Sequence, residues 1–281
     1  MLKVIYAYAG NLRRFFDNEN RVLGAATAGD LRGSVPVASN DELGVMAHRT
    51  NVKIAELCLR TDELQRTQDV TIHSLASLAE ARDNETGAHI LRTQRYVRAL
   101  AEALRDVPDY RAYLDEPTID LLFKSAPLHD IGKVGIPDRI LLKPGRLEPD
   151  EFEVMKTHAA IGGEALAVAE RELGGSSFLQ LAKEIAMTHH EKWDGSGYPG
   201  GLAGEAIPIS GRLMAVADVY DALISKRVYK EAFSHDKAMG IIREGRGAHF
   251  DPQVVDALER VEDEFVAIAR RYADEGHPTG R

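Results

Sequence analysis

The sequence predicts an all-α protein, a helical bundle preceded by a coiled-coil dimerisation segment. Three observations carry that expectation. Apolar residues recur at helical spacing along most of the chain, and the alternation expected of strands is almost absent. Between the periodic stretches stand Pro108, Pro137, Pro144-Gly145 and Gly174-Gly175, which break helices. Apolar residues make up 44% and charged residues 28% of 281 residues, enough for one large core and a smaller unit.

The net charge of −9 argues against a nucleic acid polymer or an anionic membrane surface as partner. A small anionic substrate remains compatible, because bound metal ions can invert the local charge. The single cysteine, Cys58, permits no intrachain disulfide and points to a reducing, cytoplasmic setting. No run of about 18 apolar residues is present. The opening MLKVIYAYAG is too short to span a bilayer and lacks a cleavage pattern. It is expected to pack as a first helix or strand; the alternative is the cytoplasmic part of a membrane-anchored sensor.

Taken in order, residues 1–35 hold an apolar, basic helical piece through Phe16, then a connector with Gly24, Gly29 and Gly33. Val35-Pro36-Val37 reads as a short extended element. Ser39-Asn40-Asp41-Glu42 reads as a helix start, with Ser or Asn as cap and acids in the first turn. A helix is expected from about Asp41 to about Glu80. It carries Leu43, Ala47, Thr50, Ile54, Leu57, Thr61 and Leu64 at alternating spacings of four and three. Such a seam needs a partner helix, so a homodimer through residues 8–80 is expected. Residues 8–60 resemble a HAMP signalling domain, on Gly29-Asp30-Leu31, Val35-Pro36-Val37 and Asp41-Glu42-Leu43-Gly44 followed by Asn51.

Further helices are expected at 72–104, 117–130, 149–172, 178–193, 208–226 and 236–243, from apolar spacing between breakers. The expected divisions are 1–67 for the signalling segment, 68–275 for the helical domain and 276–281 for a frayed tail.

The chemistry-bearing residues fall on five of these stretches. Glu85 and His89, four apart, share a helix face. His129-Asp130 lies in LHDIGK, His158 in MKTHAAIGG, His189-His190 before a glycine-rich loop, and Asp218 in RLMAVADVYDAL. Neighbouring helical residues diverge by about 100°, so each adjacent pair serves two directions rather than one. That favours two or more ions side by side, with a carboxylate such as Asp130 between them. Asp218, surrounded by apolar residues, is costly to bury unless paired or metal-bound. Singly these signals are weak: a lone His89 or His158 is more often a core or surface histidine. Together they point to a metal cluster. His48, His73, His235, His249 and His277 are read as outside it.

HDIGK at 129–133 and HHEKWDGSGYPGGL at 189–202 are similar to the two signatures of the HD-GYP phosphodiesterases, a subgroup of the HD-domain metal phosphohydrolases. ILLKPGRLEPDEFEVMKTH, IPISGRLMAVADVYDAL, KRVYK and GAHFDP follow in the family's order, so the similarity runs from about Asp69 to Tyr272. The resemblance implies an HD-domain helical bundle that cleaves cyclic di-GMP to pGpG and onward to GMP in some members. It implies Glu85, His89, His129, Asp130, His158, His189, His190 and Asp218 as ligands of two or three divalent metal ions, iron or manganese. Glu85 accompanies the three-metal arrangement. Val228 departs from the family, which usually has proline in RPYK; Arg227, Tyr229 and Lys230 are kept.

Asp130 and Lys133 are the expected catalytic residues, with Lys133 one turn after His129 and directed at the scissile phosphate or leaving oxygen. Arg227 and Lys230, three apart, could clamp a phosphate. Tyr198 is expected on the pocket rim, touching substrate or a partner such as a diguanylate cyclase, and Asp194 in an Asx turn beside Gly195. Two alternatives stand beside the enzyme: a cyclic di-GMP receptor without turnover, and a phosphohydrolase acting on another nucleotide.

Overall fold

A computed structural model describes residues 2–37, 41–83, 87–175, 177–225 and 232–273. They form helices α1 (Leu2–Thr27), α2 (Glu42–Ala81), α3 (Gly87–Arg105), α4 (Pro108–Arg111), α5 (Glu116–Ser125), α6 (Asp138–Leu141), α7 (Pro149–Glu172), α8 (Ser177–Thr188), α9 (Ile209–Ile224), α10 (His235–Glu244), α11 (Pro252–Arg260) and α12 (Glu262–Arg271). Tight 3₁₀ turns cover Ala126–Leu128, Ile131–Gly135 and Gly204–Ala206. Among the described residues there is no strand, only an isolated bridge between Arg246 and Phe250. The all-α expectation holds. No helix among the described residues is long and apolar enough to cross a membrane.

The chain divides into two compact units, Met1–Val70 and Thr71–Arg281. In the first, Phe15 and Val22 of α1 close over Val35 and over Ala47 and Ile54 of α2. Asn51 ties the extended element to α2 with a two-way bond: its Nδ2 donates to the Val35 carbonyl (2.9 Å), and its Oδ1 accepts from the Val35 N–H (2.7 Å). The first helix runs on to Thr27 rather than stopping near Phe16. Gly24 lies inside it, flanked by the strong helix formers Ala25 and Ala26, which offset its cost of about 1 kcal/mol. The cap of α2 is Asp41, whose Oδ1 accepts from the N–H groups of Leu43 and Gly44. Ser39 and Asn40 lie outside the described residues. Ala47 and Ile54 of the expected seam are thus buried within the chain, while Leu57 and Leu64 are 52% and 72% exposed.

In the second unit α3 is the axis, packed against α5, α9, α11 and α12. Tyr96 of α3 stacks on Phe265 at 4.3 Å, with Tyr220 edge-on to both rings. Leu100, Leu104, Leu213, Met214, Val254 and Leu258 fill the rest of that core. A smaller cluster joins Leu128, Leu166, Phe178 and Ala182. Local signals set the helix starts. Asp115 caps α5, Ser234 caps α10 and Asp251 caps α11, each accepting a backbone N–H of the first turn.

Three expectations need correction here. The stretch 72–104 is not one helix: α2 stops at Ala81, where the Arg82 guanidinium leaves to bond Val134, Ile136 and Asp138. The stretch 117–130 ends as a helix at Ser125, because Pro127 cannot donate to the ladder, and His129-Asp130 follow a 3₁₀ turn. Finally, α11 and α12 were not anticipated, although Asp251-Pro252 is a cap followed by a proline-led first turn.

Candidate metal centre

Two groups of donors form beside one another: Asp130, His158, His189 and His190, and then His89, His129 and Asp218. Within each group the donor atoms lie within 4.8 Å of one another. Seven of the eight expected ligands are therefore brought together. His129 and Asp130 fall in different groups as expected, but His189 and His190 share one, because α8 ends at Thr188 rather than running to 193 and the pair lies beyond it. Glu85 lies outside the described residues.

The outer nitrogens of four imidazoles decide what these groups can bind. His129 Nδ1 donates to the Ala126 carbonyl (3.0 Å), His158 Nδ1 to Met155 (2.7 Å) and His189 Nδ1 to Ile185 (3.0 Å). His89 Nδ1 donates to the Asp221 carboxylate at 2.8 Å. In the neutral imidazole each bond selects the tautomer whose lone pair is on Nε2. The Nε2 atoms of His89 and His129 lie 3.4 Å apart, so with both rings neutral their lone pairs face each other. Two lone pairs at that distance call for a cation.

Asp130 stands between the groups. Its Oδ1 is 3.2 Å from His158 Nε2 and 3.5 Å from His189 Nε2, while Oδ2 is 3.3 Å from His129 Nε2. Asp130 Oδ1, His158 Nε2 and His189 Nε2 are buried and have no hydrogen-bond partner among the described residues. Orphaned buried acceptors of this kind are expensive unless something positive lies among them. The donor set of imidazole and carboxylate, without thiolate, fits a divalent transition metal.

Electrostatics point the same way. Burial lowers the His189 imidazole, and burial followed by the neighbouring His189 holds His190 well below its ordinary value, so both lone pairs stay available. Burial works against ionising Asp130, yet Lys133 and His129 outweigh it and hold the carboxyl well below the usual range. Burial likewise opposes charge on His129, but Asp130 and Asp218 raise it overall.

A profile of the HD domain matches residues 75–254, which includes every group just described. The chain belongs to the HD-domain family. Its HDIGK and GYP-containing segments place it in the HD-GYP subgroup. It is 60% identical over 271 residues to a cyclic di-GMP phosphodiesterase of Vibrio cholerae, covering 96% of this chain and 55% of that protein. A probable cyclic di-GMP phosphodiesterase of the same organism is 56% identical, with 82% of this chain and 53% of the relative covered. A 3'3'-cGAMP-specific phosphodiesterase 2 from that organism is 43% identical, with 75% and 38% covered. The chain thus spans about half the length, or less, of these curated relatives.

Around the HD doublet, Lys133 Nζ is 2.7 Å from Asp130 Oδ2 and also bonds Asp83. The lysine therefore points into the cluster, held from both sides by carboxylates. The GYP loop folds back over the centre. Gly197 passes so close to the HHE segment that a Cβ would meet Lys192 N at 2.3 Å and His190 O at 2.6 Å. Buried Glu191 accepts from the N–H groups of Gly200 (2.6 Å) and Leu202 (3.0 Å). Trp193 and Asp194 dock by their N–H groups on the carbonyls of His249 and Ala248, which is what GAHFDP supplies. Asp194 forms the Asx turn, accepting from Ser196 N–H at 2.9 Å.

Tyr198 is turned inward: its ring stacks on His190 with centroids 4.7 Å apart. Burial, then Asp130 and Asp218, push its hydroxyl pKa up, so it stays a neutral donor. Arg227 and Lys230 lie outside the described residues, as does His277. Of the other histidines, His235 bonds Tyr220 Oη and His249 stacks on Phe250.

Two buried acids were not anticipated. Asp221 anchors His89 and is itself gripped by Arg92, whose Nε and Nη2 donate at 2.6 and 2.8 Å. Glu80, in the last turn of α2, brings Oε1 to 3.8 Å from His89 Nε2. The signal that marks Asp218, a carboxylate in an apolar helical run, is equally present in SLASLAEA and in VYDAL.

Proposed function

We propose that this chain is a metal-dependent phosphodiesterase that hydrolyses cyclic di-GMP to pGpG, to GMP or to both. The observation that carries the reading is the convergence of imidazole lone pairs on Asp130 and Asp218 with Lys133 directed into the same place. The substrate is supported by the names of the relatives and by the GYP loop folded over the centre.

In this reading Asp130, His158, His189 and His190 would hold one ion and His89, His129 and Asp218 a second, with the Asp130 carboxylate lying between the two groups. Glu85 is the expected ligand of a third, and iron or manganese suits the donors. Bound ions would supply charge for the phosphate oxygens and make water more acidic. Lys133, fixed by Asp130 and Asp83, would offer its N–H groups to the phosphate and a proton to the departing 3′ oxygen. Arg227 and Lys230 would clamp the distal phosphate, and Tyr198 would donate its hydroxyl to substrate.

Residues 1–67 act as a HAMP-like regulator of the catalytic domain, 68–275, and pair as a homodimer through residues 8–80. The exposure of Leu57 and Leu64 supports that pairing. A diguanylate cyclase docking on the GYP loop would meet its outer residues, since the Tyr198 ring faces His190. A second reading, turnover of a different cyclic dinucleotide, is favoured by the likeness to the 3'3'-cGAMP-specific relative.

The test is incubation of anaerobically Fe(II)- or Mn(II)-loaded protein with cyclic di-GMP and with 3'3'-cGAMP, with products and metal content both measured. Linear pGpG or GMP is expected from cyclic di-GMP. Intact cyclic di-GMP at full metal occupancy overturns the reading, and cleavage of 3'3'-cGAMP alone transfers it to the second. Binding without cleavage of either would make the chain a receptor.

A further inference from the structure

Beyond Tyr198 the aromatic wall continues. Phe152, in the first turn of α7, is 45% exposed, yet its ring is fixed edge-on to Tyr198 with centroids 6.1 Å apart and planes at 86°. Lys156, one turn further along the same helix, holds Nζ 5.6 Å from the Phe152 centroid and 5.7 Å from that of Tyr198. Glu153 accepts one bond from this ammonium at 2.7 Å, out of the three that an ammonium can donate. His158, a member of the first donor group, lies on the same helix. An exposed phenyl face and an ammonium therefore stand one ring outward from the place where a phosphate would bind.

We propose that Phe152 and Lys156 form a subsite for a purine base of the substrate, with guanine favoured. This rests on the phosphodiesterase reading above and adds to it a specificity-determining pair. The phenyl face offers stacking, which any base accepts. The ammonium discriminates: guanine presents two acceptors, O6 and N7, on the edge a lysine can reach, whereas adenine pairs one acceptor with an amino donor. A nucleotide whose phosphate lies at the donor groups would extend its base along this wall.

The experiment measures binding of 5′-GMP, 5′-AMP and inorganic phosphate to the metal-loaded full chain by calorimetry, in wild type, Phe152→Ala, Phe152→Trp and Lys156→Ala. Phe152→Ala is expected to weaken GMP by about tenfold or more, to leave phosphate affinity and metal content unchanged, and to be rescued by Phe152→Trp. Lys156→Ala is expected to erase the preference for GMP over AMP. Unchanged GMP affinity in Phe152→Ala overturns the subsite, as does parallel loss of GMP and phosphate. The outcome is independent of turnover. If wild type leaves cyclic di-GMP intact while GMP binding still depends on Phe152, the substrate assignment falls and the subsite stands.

Discussion

Asp221 accepts a hydrogen bond from His89 Nδ1–H at 2.8 Å, and both side chains are almost fully buried. The carboxylate therefore decides which nitrogen of His89 faces the metal centre. Asp221→Asn keeps the shape but removes the charge that raises the basicity of Nε2. Metal affinity is expected to fall by about 10- to 100-fold, and selectively. The ion of the His89, His129 and Asp218 group should leave first under chelator, while the Asp130 group keeps its own. Metal analysis per chain after graded chelation reads this directly, and equal loss from both groups would contradict it.

Arg92 makes a different demand on the same carboxylate. Its guanidinium donates twice to Asp221, once to Ser225 Oγ and once to the Tyr272 carbonyl at the end of α12. Burial raises Asp221, but Arg92 and then His89 hold it below its ordinary value, so the carboxylate is ionised. Removing the guanidinium leaves that charge buried with its main counterion gone. Arg92→Ala is expected to cost about 3–5 kcal/mol of stability, measured by denaturant unfolding. Arg92→Lys should recover only part, because an ammonium cannot reproduce the forked contact.

These relationships also explain what could be read in advance. The helices were legible wherever a run of apolar residues was bounded by a cap or a proline, as with α7 and α9. Histidines and Asp218 stood out because few residue types are able to hold a metal ion. The groups that orient them did not, because Asp221 and Glu80 resemble ordinary acids until the fold brings them from distant stretches to His89. The end of α2 was hidden for a related reason. Arg82 and Asp83 are acceptable helix residues, and what draws them out is the tertiary pull of Asp138, Lys133 and the carbonyls of Val134 and Ile136. Extension of α1 through Gly24 reflects the alanines beside it, which outweighed the glycine.

Lys133 is held between two carboxylates, Asp130 and Asp83. If it supplies the proton for the leaving oxygen, Lys133→Ala should lower kcat by about 10²- to 10⁴-fold with metal content retained. Asp83→Asn loosens the lysine without deleting it, so its loss should be smaller and appear in kcat rather than KM. A control substrate with a good leaving group, bis(p-nitrophenyl) phosphate, needs little protonation and should be far less affected by either change. Equal losses on both substrates would show that Lys133 acts on the cluster and not on the leaving group.

The close approach of the HD turn to α7 sets the last expectation. A Cβ on Gly132 would lie 2.0 Å from the His158 carbonyl oxygen and 2.5 Å from Gly162 N, both backbone atoms within a helix. Neither can yield without moving His158 or the Asp130 turn. At Gly163, on the next position of α7, the obstacle is instead the Met187 side chain, 2.1 Å away at Cγ. A flexible thioether can repack. Gly132→Ala is therefore expected to cost more than about 3 kcal/mol and to release metal, and Gly163→Ala only about 1–2 kcal/mol with metal retained. Denaturant melts of the two variants, each followed by metal analysis, compare a backbone collision with a side-chain one on the same helix. A similar cost for both would mean that the HD turn can retreat from α7, and that the spacing between Asp130 and His158 is not set by that contact.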